Sequence, residues 1–280
     1  MKLFVIADVH GFYDEMIEAL ENAGFDKDNP NHMLIGCGDY WDRGRKPYEV
    51  TQYLSQLKNK VLVRGNHEDL MDQMLARHYS EAHDIHNGTE DTFYELLNHC
   101  EDDETKSIYR LVAEQMVDTF YSQMVDYFET KNYIFVHGYI PTDTDWRSGN
   151  WSAARWYNGF DMARLYGNPT GKKIVFGHWH CSYGHYMNME SAQWGPRSDF
   201  SPCYFDNDTI GIDGCTAYTG KVNVLVLEDE LLDDMSTKEM RYLTPEENKE
   251  LKEIYKKTST MVSDINFFDD AAAEVESKVE

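Results

Sequence analysis

Short runs of β-branched and other apolar residues punctuate this chain, at Leu3–Ala7, Met33–Cys37, Val61–Val63, Tyr133–Val136, Ile174–Phe176, Thr209–Ile212 and Val222–Leu227. Each is about one strand long, and most end in Gly, His, Asp or Asn. Helical patterns separate the first three. From Phe12 to Ala23, residues Met16, Ile17, Leu20 and Ala23 recur at helical spacing ahead of Gly24, and Tyr48–Leu57 follows Pro47, which suits a first helical turn. Strand and helix in alternation predict an α/β fold whose opening strands are largely parallel.

From His67 to about Thr130 the period changes, with Phe93, Leu96, Leu97 and Leu111, Met116, Phe120, Met124 at helical spacing. We read residues 68–130 as a helical insertion over a sheet edge. The late runs at Thr209–Ile212 and Val222–Leu227 lie close together with Gly214 and Gly220 between them, and predict an antiparallel hairpin or meander. An acidic cluster follows Leu227, then a charged helix around Pro245–Lys257. A catalytic domain over 1–257 and an acidic tail over 258–280, loosely packed or disordered, are expected.

The 280 residues, 41% hydrophobic and 14% aromatic, can bury a substantial core and exclude disorder throughout. Fifty Asp and Glu against 26 Lys and Arg leave a charge of −24. Such a chain is repelled from bare nucleic acid or an anionic bilayer unless a basic groove or a bound cation reverses the local field. No nucleic acid or membrane partner is expected, and a divalent metal is a natural counter-charge. No stretch has the roughly 18 apolar residues of a membrane span, and the start lacks a basic region and a cleavage site, so a cytoplasmic location is expected. The five cysteines have no C-x-x-C spacing, which indicates neither a disulfide framework nor a thiolate zinc site.

Five motifs sit immediately after strands: A-D-V-H-G at Ala7–Gly11, G-D-Y-W-D-R-G at Gly38–Gly44, R-G-N-H-E at Arg64–Glu68, V-H-G at Val136–Gly138 and G-H-W-H at Gly177–His180. In an extended stretch Asp8 and His10 project to one side and can reach one ion. Asp39 has two oxygens with which to bridge two cations. Asn66 offers an amide oxygen, and His137 and His178 offer imidazole nitrogens. Carboxylate, imidazole and amide without thiolate suit two divalent ions, manganese first, with iron or zinc as alternatives. Ligands at the carboxyl ends of several strands converge on one crevice, where a metal pair can polarise phosphoryl oxygens and activate a bridging water. Arg43 has the planar fork that matches phosphate oxygens. His67 can protonate a departing alkoxide, with Asp42 orienting its ring.

The ordered set resembles the calcineurin-like metallophosphoesterases, and more narrowly their phosphoprotein phosphatase branch, which includes bacterial and phage serine/threonine phosphatases and diadenosine tetraphosphate hydrolases. I-D-G-C-T-A-Y-T-G-K-V at Ile212–Val222 is similar to that family's closing hairpin. The resemblance covers about Met1 to Leu227. It implies a β-sandwich of two mixed sheets flanked by helices, with a dimetal centre at the sheet edge. It further implies Asp8, His10 and Asp39 on one metal, and Asp39, Asn66, His137 and His178 around the other. His67 takes the place of the general acid, Asp42 that of its carboxylate partner, and Arg43 that of a phosphate-binding arginine. Ala7 stands where Gly is usual, and Tyr139 where a small residue is common. His180 is left open between a ligand and a residue that supports one, and a second phosphate arginine is expected at Arg155 or Arg147.

The remaining histidines are read as ordinary surface or half-buried residues, and Trp146, Trp151, Trp156 and Tyr157 as packing, with a substrate groove as the alternative. The first functional reading is a phosphomonoesterase acting on phosphoserine or phosphothreonine in proteins, with phosphotyrosine as a further substrate. The alternative is a hydrolase of dinucleoside polyphosphates or a related small phosphoester. A phosphatase-like binding module without turnover is the third, and the intact ligand set with His67 and Arg43 present argues against it.

Overall fold

The computed structural model describes residues 1–98, 109–143, 145–206 and 208–232. The charged helix expected near 245–257 and the tail at 258–280 lie outside them. Two five-stranded sheets face each other and helices cover both outer faces, as the family resemblance implies.

The first sheet is built on β1 (Lys2–Ile6), β2 (His32–Cys37) and β3 (Lys60–Val63), all parallel. Helices α1 (Tyr13–Asn22) and α2 (Pro47–Gln56) connect them, and Pro47 opens α2 where a missing N–H costs nothing. Successive strand residues face opposite sides. Leu3, Val5, Met33, Ile35, Val61 and Val63 therefore enter the core between the sheets, while Phe4, Ile6, Leu34 and Leu62 pack with Met16, Leu20, Val50 and Leu54 of the two helices. Burial on both faces explains why these strands are unbroken apolar runs in the sequence.

Helices α3 (Asn66–Arg77), α4 (Ala82–Asn87), α5 (Thr89–Asn98) and α6 (Tyr109–Tyr121) fill most of the stretch read as an insertion. Met71, Met74, Phe93, Leu96 and Phe120 tie them to the core over the first sheet. The chain then returns to strand: β4 (Met124–Val125) pairs with β3, and β5 (Phe128–Glu129) opens the second sheet. There β6 (Tyr133–Phe135), β7 (Lys173–Phe176) and β9 (Thr209–Gly211) are parallel, with β5 and β8 (Cys203–Phe205) antiparallel at the edges. Its outer face packs Ile134, Ile174 and Phe176 against α7 (Trp151–Ala154), α8 (Gly159–Tyr166) and α9 (Cys181–Met187), chiefly through Phe160, Ala163 and Cys181.

The hairpin expected between Thr209–Ile212 and Val222–Leu227 does not form. α10 (Thr216–Thr219) lies between them, β9 pairs with β7 and β8, and β10 (Leu225–Glu228) runs antiparallel to β1 in the other sheet. Ile210 and Leu225 enter the central core from opposite sheets, so this segment carries the chain across the sandwich. Strand ends of both sheets meet at one rim, where the His137 ring bonds to the Cys37 carbonyl and the His178 amide donates to Asp8.

Candidate metal centre and active site

At this rim the chain leaves its strands through left-handed backbone. Asp8, His10, Asp39, Asp42, Arg43 and His178 all have φ between 51° and 72°. For residues with a Cβ such backbone costs about 1–2 kcal/mol each and persists only where the surroundings enforce it. Asp8 and His10 are therefore not neighbours on an extended stretch, as their spacing suggests. β1 ends at Ile6, and separate turns aim the two side chains. Gly38, at φ 87°, lies so close to the second sheet that a Cβ there would meet His137 Nδ1 at 2.6 Å.

Two sets of ligand atoms lie within 4.8 Å of one another: His10, Asp39 and His67, and Asp39, His137 and His178. Asp39 belongs to both. Its Oδ2 is 3.7 Å from His10 Nε2, and its Oδ1 is 3.3 Å from His137 Nε2. The hydrogen bonds fix the tautomers. His10 Nδ1–H donates to the Trp41 carbonyl at 2.8 Å and His137 Nδ1–H to the Cys37 carbonyl at 2.7 Å, which leaves both Nε2 lone pairs facing inward. The Asn66 amide oxygen then stands 2.8 Å from His137 Nε2, acceptor against acceptor, with Asp39 Oδ1 beside them. A cation shared among these atoms relieves that repulsion, so the donor set fits divalent metal.

Burial lowers the pKa of His10, and to a lesser degree of His137, and pushes His178 down to about 3, with the neighbouring His137 adding to that shift. All three rings are thereby held neutral, the form that binds metal. Burial would raise Asp39, but the positive charge that His137, His67 and His10 carry when they take up protons in acid holds it below the usual carboxylate range. Asp8, 2% exposed, is raised by burial and by Asp213, and both its oxygens accept the His178 N–H at 3.0–3.1 Å. It therefore borders the two sets, and His67 completes the first of them.

His67 Nδ1 lies 2.6 Å from Asp42 Oδ2, and Arg43 Nη2 lies 3.3 Å from its Nε2. Burial works to lower the His67 pKa, but the charge of Asp39 and the bond to Asp42 raise it above the ordinary value. A cavity of about 270 Å³ opens here, lined by His10, Asp39, Arg43, Asn66, His67 and His178 on its polar side. Arg43 is the one arginine lining it among the described residues. Arg155 is instead buried, its guanidinium held by Asp69 at 2.8 Å and Asp126 at 2.7 Å, and Arg147 forks onto Glu129 at the surface. His180 lines the cavity, but its Nδ1 bonds to Ser182 Oγ and it joins neither ligand set. The tryptophan run divides: Trp146 and Trp151 are core residues, whereas Trp156 is half exposed and lines the cavity.

Sequence reasoning missed several residues. Asp213, buried one residue beyond Ile212, lines the cavity with a pKa raised to about 6 by burial. Its position just past a strand was the available signal. Thr89 and Thr92 of α5 bind Asp42 Oδ2 at 2.7 Å and Oδ1 at 3.0 Å. Glu68 accepts the backbone N–H groups of Asp39, Tyr40 and Gly65 at 2.8–3.0 Å, which ties the second motif to the third.

The family model for calcineurin-like phosphoesterases matches residues 1–182. The chain belongs to this family. It is 34% identical over 106 residues to a bis(5′-nucleosyl)-tetraphosphatase PrpE (asymmetrical) of Halalkalibacterium halodurans, covering 34% of this chain and 42% of that protein. It is 41% identical over 69 residues to a bis(5′-nucleosyl)-tetraphosphatase (symmetrical) of Salmonella newport, covering 24% of each. This phosphoesterase thus spans less than half the length of the curated relatives it matches. A solved structure assigned provisionally to the diadenosine tetraphosphatases superposes over 83% of this chain and 94% of its own, with a TM-score of 0.52 and 13% identity. A cold-active protein-tyrosine phosphatase of a psychrophilic Shewanella covers 81% and 75%, with a TM-score of 0.52 and 17% identity. These two likenesses establish the phosphoesterase fold. Family membership and the two ligand sets at the rim agree with each other.

Proposed function

We propose that this phosphoesterase hydrolyses dinucleoside polyphosphates of the tetraphosphate type. The observation that carries this reading is the agreement between a cavity that brings Arg43 and His67 to the candidate metal ligands and relatives named as bis(5′-nucleosyl)-tetraphosphatases. The protein-phosphatase reading, first on the motifs alone, takes second place for the same reason.

In this reading His10 and Asp39, with Asp8 beside them, would hold one divalent ion, and Asp39, Asn66, His137 and His178 would hold the other. When bound, the ions supply positive charge to phosphoryl oxygens and acidify a water. The chain's own residues do the rest. Arg43 places its guanidinium on a phosphoryl oxygen, where a charge-assisted bond is stronger than a neutral one. His67 delivers its Nε2 proton to the leaving oxygen, and Asp42 holds Nδ1–H so that the ring keeps this orientation. Arg155 and Arg147, already committed to carboxylates, play no part in phosphate binding. His180 shapes the cavity mouth.

Metal-supplemented assays with diadenosine tetraphosphate, a phosphoserine peptide and p-nitrophenyl phosphate test the reading. We expect kcat/KM for the dinucleotide to exceed that for the peptide by at least about tenfold, the scale on which a few contacts discriminate. The reverse order would restore the protein phosphatase.

A further inference from the structure

Beside the candidate ligand His178, the cavity wall is aromatic. Trp156 and Trp179 line it, and their rings lie 6.2 Å and 6.1 Å from the ring of His178, one on each contact. Both side chains are exposed, at 47% and 36%. The surface continues outward: His180 stacks on Trp179 at 5.9 Å and meets Trp194 at 4.6 Å, and Trp194 touches Phe200 at 6.0 Å and Tyr218 at 5.6 Å. Trp194 is 50% exposed and Tyr218 62%.

Half-exposed rings packed on one another beside a polar cavity form a contiguous apolar patch, which soluble proteins keep where it has an occupant. These rings come from three separate stretches: the loop after α7, the residues before and after α9, and α10. The occupant must be flat, to use ring faces, and must be joined to phosphate, because the patch begins at a metal-set histidine. It must also extend beyond one phenol ring, since the aromatic surface runs from Trp179 through His180 to Trp194 and Tyr218. A purine carried on a polyphosphate meets all three conditions. The polyphosphate gives reach, and its charge goes to Arg43 and the metal centre.

We propose that Trp156 and Trp179, continued by Trp194, Phe200 and Tyr218, form a stacking site for the nucleobase of a nucleoside polyphosphate. The site rests on the substrate class argued above but names where specificity for it resides. Stacking of one base on such rings contributes roughly 1–3 kcal/mol, or about 5- to 150-fold in affinity. His178 would hold a metal ion that meets the phosphate end of the ligand, and the tryptophans take its organic end.

Isothermal titration calorimetry of the full chain with manganese present, using ATP and inorganic tripolyphosphate as probes, separates the two ends. The parent protein is expected to bind ATP at least about fivefold more tightly than tripolyphosphate. Trp179→Leu and Trp194→Ala are each expected to remove most of that preference, while tripolyphosphate affinity stays within about twofold. The unchanged affinity also shows that the variants are folded, and Trp179→Phe is expected to keep the preference. Equal binding of both probes by the parent protein would overturn the site, and so would an ATP preference that survives both variants. If the preference is present and lost as described, yet the enzyme turns over only phosphopeptides, the substrate reading fails and the stacking site stands.

Discussion

His67 has two tasks that its two ring nitrogens divide. Nδ1 is fixed by Asp42 at 2.6 Å, and Nε2 faces Arg43 and, at 3.8 Å, Asp39. If Nε2 donates to the leaving oxygen, its worth depends on how badly that oxygen needs a proton. His67→Asn is therefore expected to lower kcat for phenyl phosphate by around 10² to 10⁴, the usual scale for general acid catalysis, and for p-nitrophenyl phosphate by far less. Metal content, measured by elemental analysis, should not change. An equal fall on both substrates would remove His67 from the acid role. At this scale the candidate ligand side chains were legible because chemistry restricts residue type: only a few side chains can ligate or donate, and they stood at strand ends. Asp213 has the same type and setting but no second ligand-type residue beside it, so its position just past a strand was the one mark it carried. The left-handed turns at Asp8, His10 and Asp39 were not legible at all, because an aspartate or histidine carries no local sign that tertiary contacts force its backbone there.

Between elements, the helices laid over the first sheet reach into the site. The first turns of α5 present Thr89 and Thr92 to Asp42, and the Thr92 hydroxyl both accepts the Asp42 N–H at 3.0 Å and donates to Oδ1 at 3.0 Å. Valine has the same shape and can do neither. Thr92→Val is expected to cost about 2 kcal/mol in urea unfolding, the scale of leaving buried polar groups without partners. It should also lose more activity on phenyl phosphate than on p-nitrophenyl phosphate, as an ill-held His67 would. Thr92→Ser, which keeps the hydroxyl, should restore both. A uniform loss on the two substrates would reduce Thr92 to a stability role. Glu68 at the start of α3 is the second such tie, with three backbone N–H groups on its two oxygens. Glu68→Gln replaces one acceptor by a donor that faces donors, and roughly 3 kcal/mol of stability should be lost. Wild-type stability in this variant would mean that the loops hold themselves. The helical period of Phe93 and Leu96 announced α5 in the sequence, but periodicity reports which face is buried and not what the first turn touches. The missing hairpin has the same cause: Thr209–Ile212 and Val222–Leu227 are both proper strands, and only the requirement to fill a core from two sides sends them to different sheets.

Across the whole molecule the −24 charge makes every dication attractive, so binding alone says little about the centre. Selectivity says more. A surface excess of carboxylates holds Mg²⁺ and Mn²⁺ through oxygen and discriminates weakly, whereas a site with three neutral imidazoles at its heart favours the softer ion. Asp39 joins the strand ends of both sheets through His10 and His137, so an ion held there ties the two halves of the sandwich together in the folded state only. Binding to the folded state alone stabilises by about 2.7 kcal/mol at a hundredfold excess over Kd. In a domain of this size that is a rise in Tm of roughly 5 to 10 °C. Mn²⁺ at sub-millimolar concentration should give a shift of that order in differential scanning calorimetry, Mg²⁺ a clearly smaller one, and EDTA should reverse both. In Asp39→Ala the difference between the two ions should vanish, leaving only what the general negative charge provides. If Mn²⁺ and Mg²⁺ shift the parent protein equally, or if Asp39→Ala keeps the manganese response, the cluster at the rim is not the seat of binding.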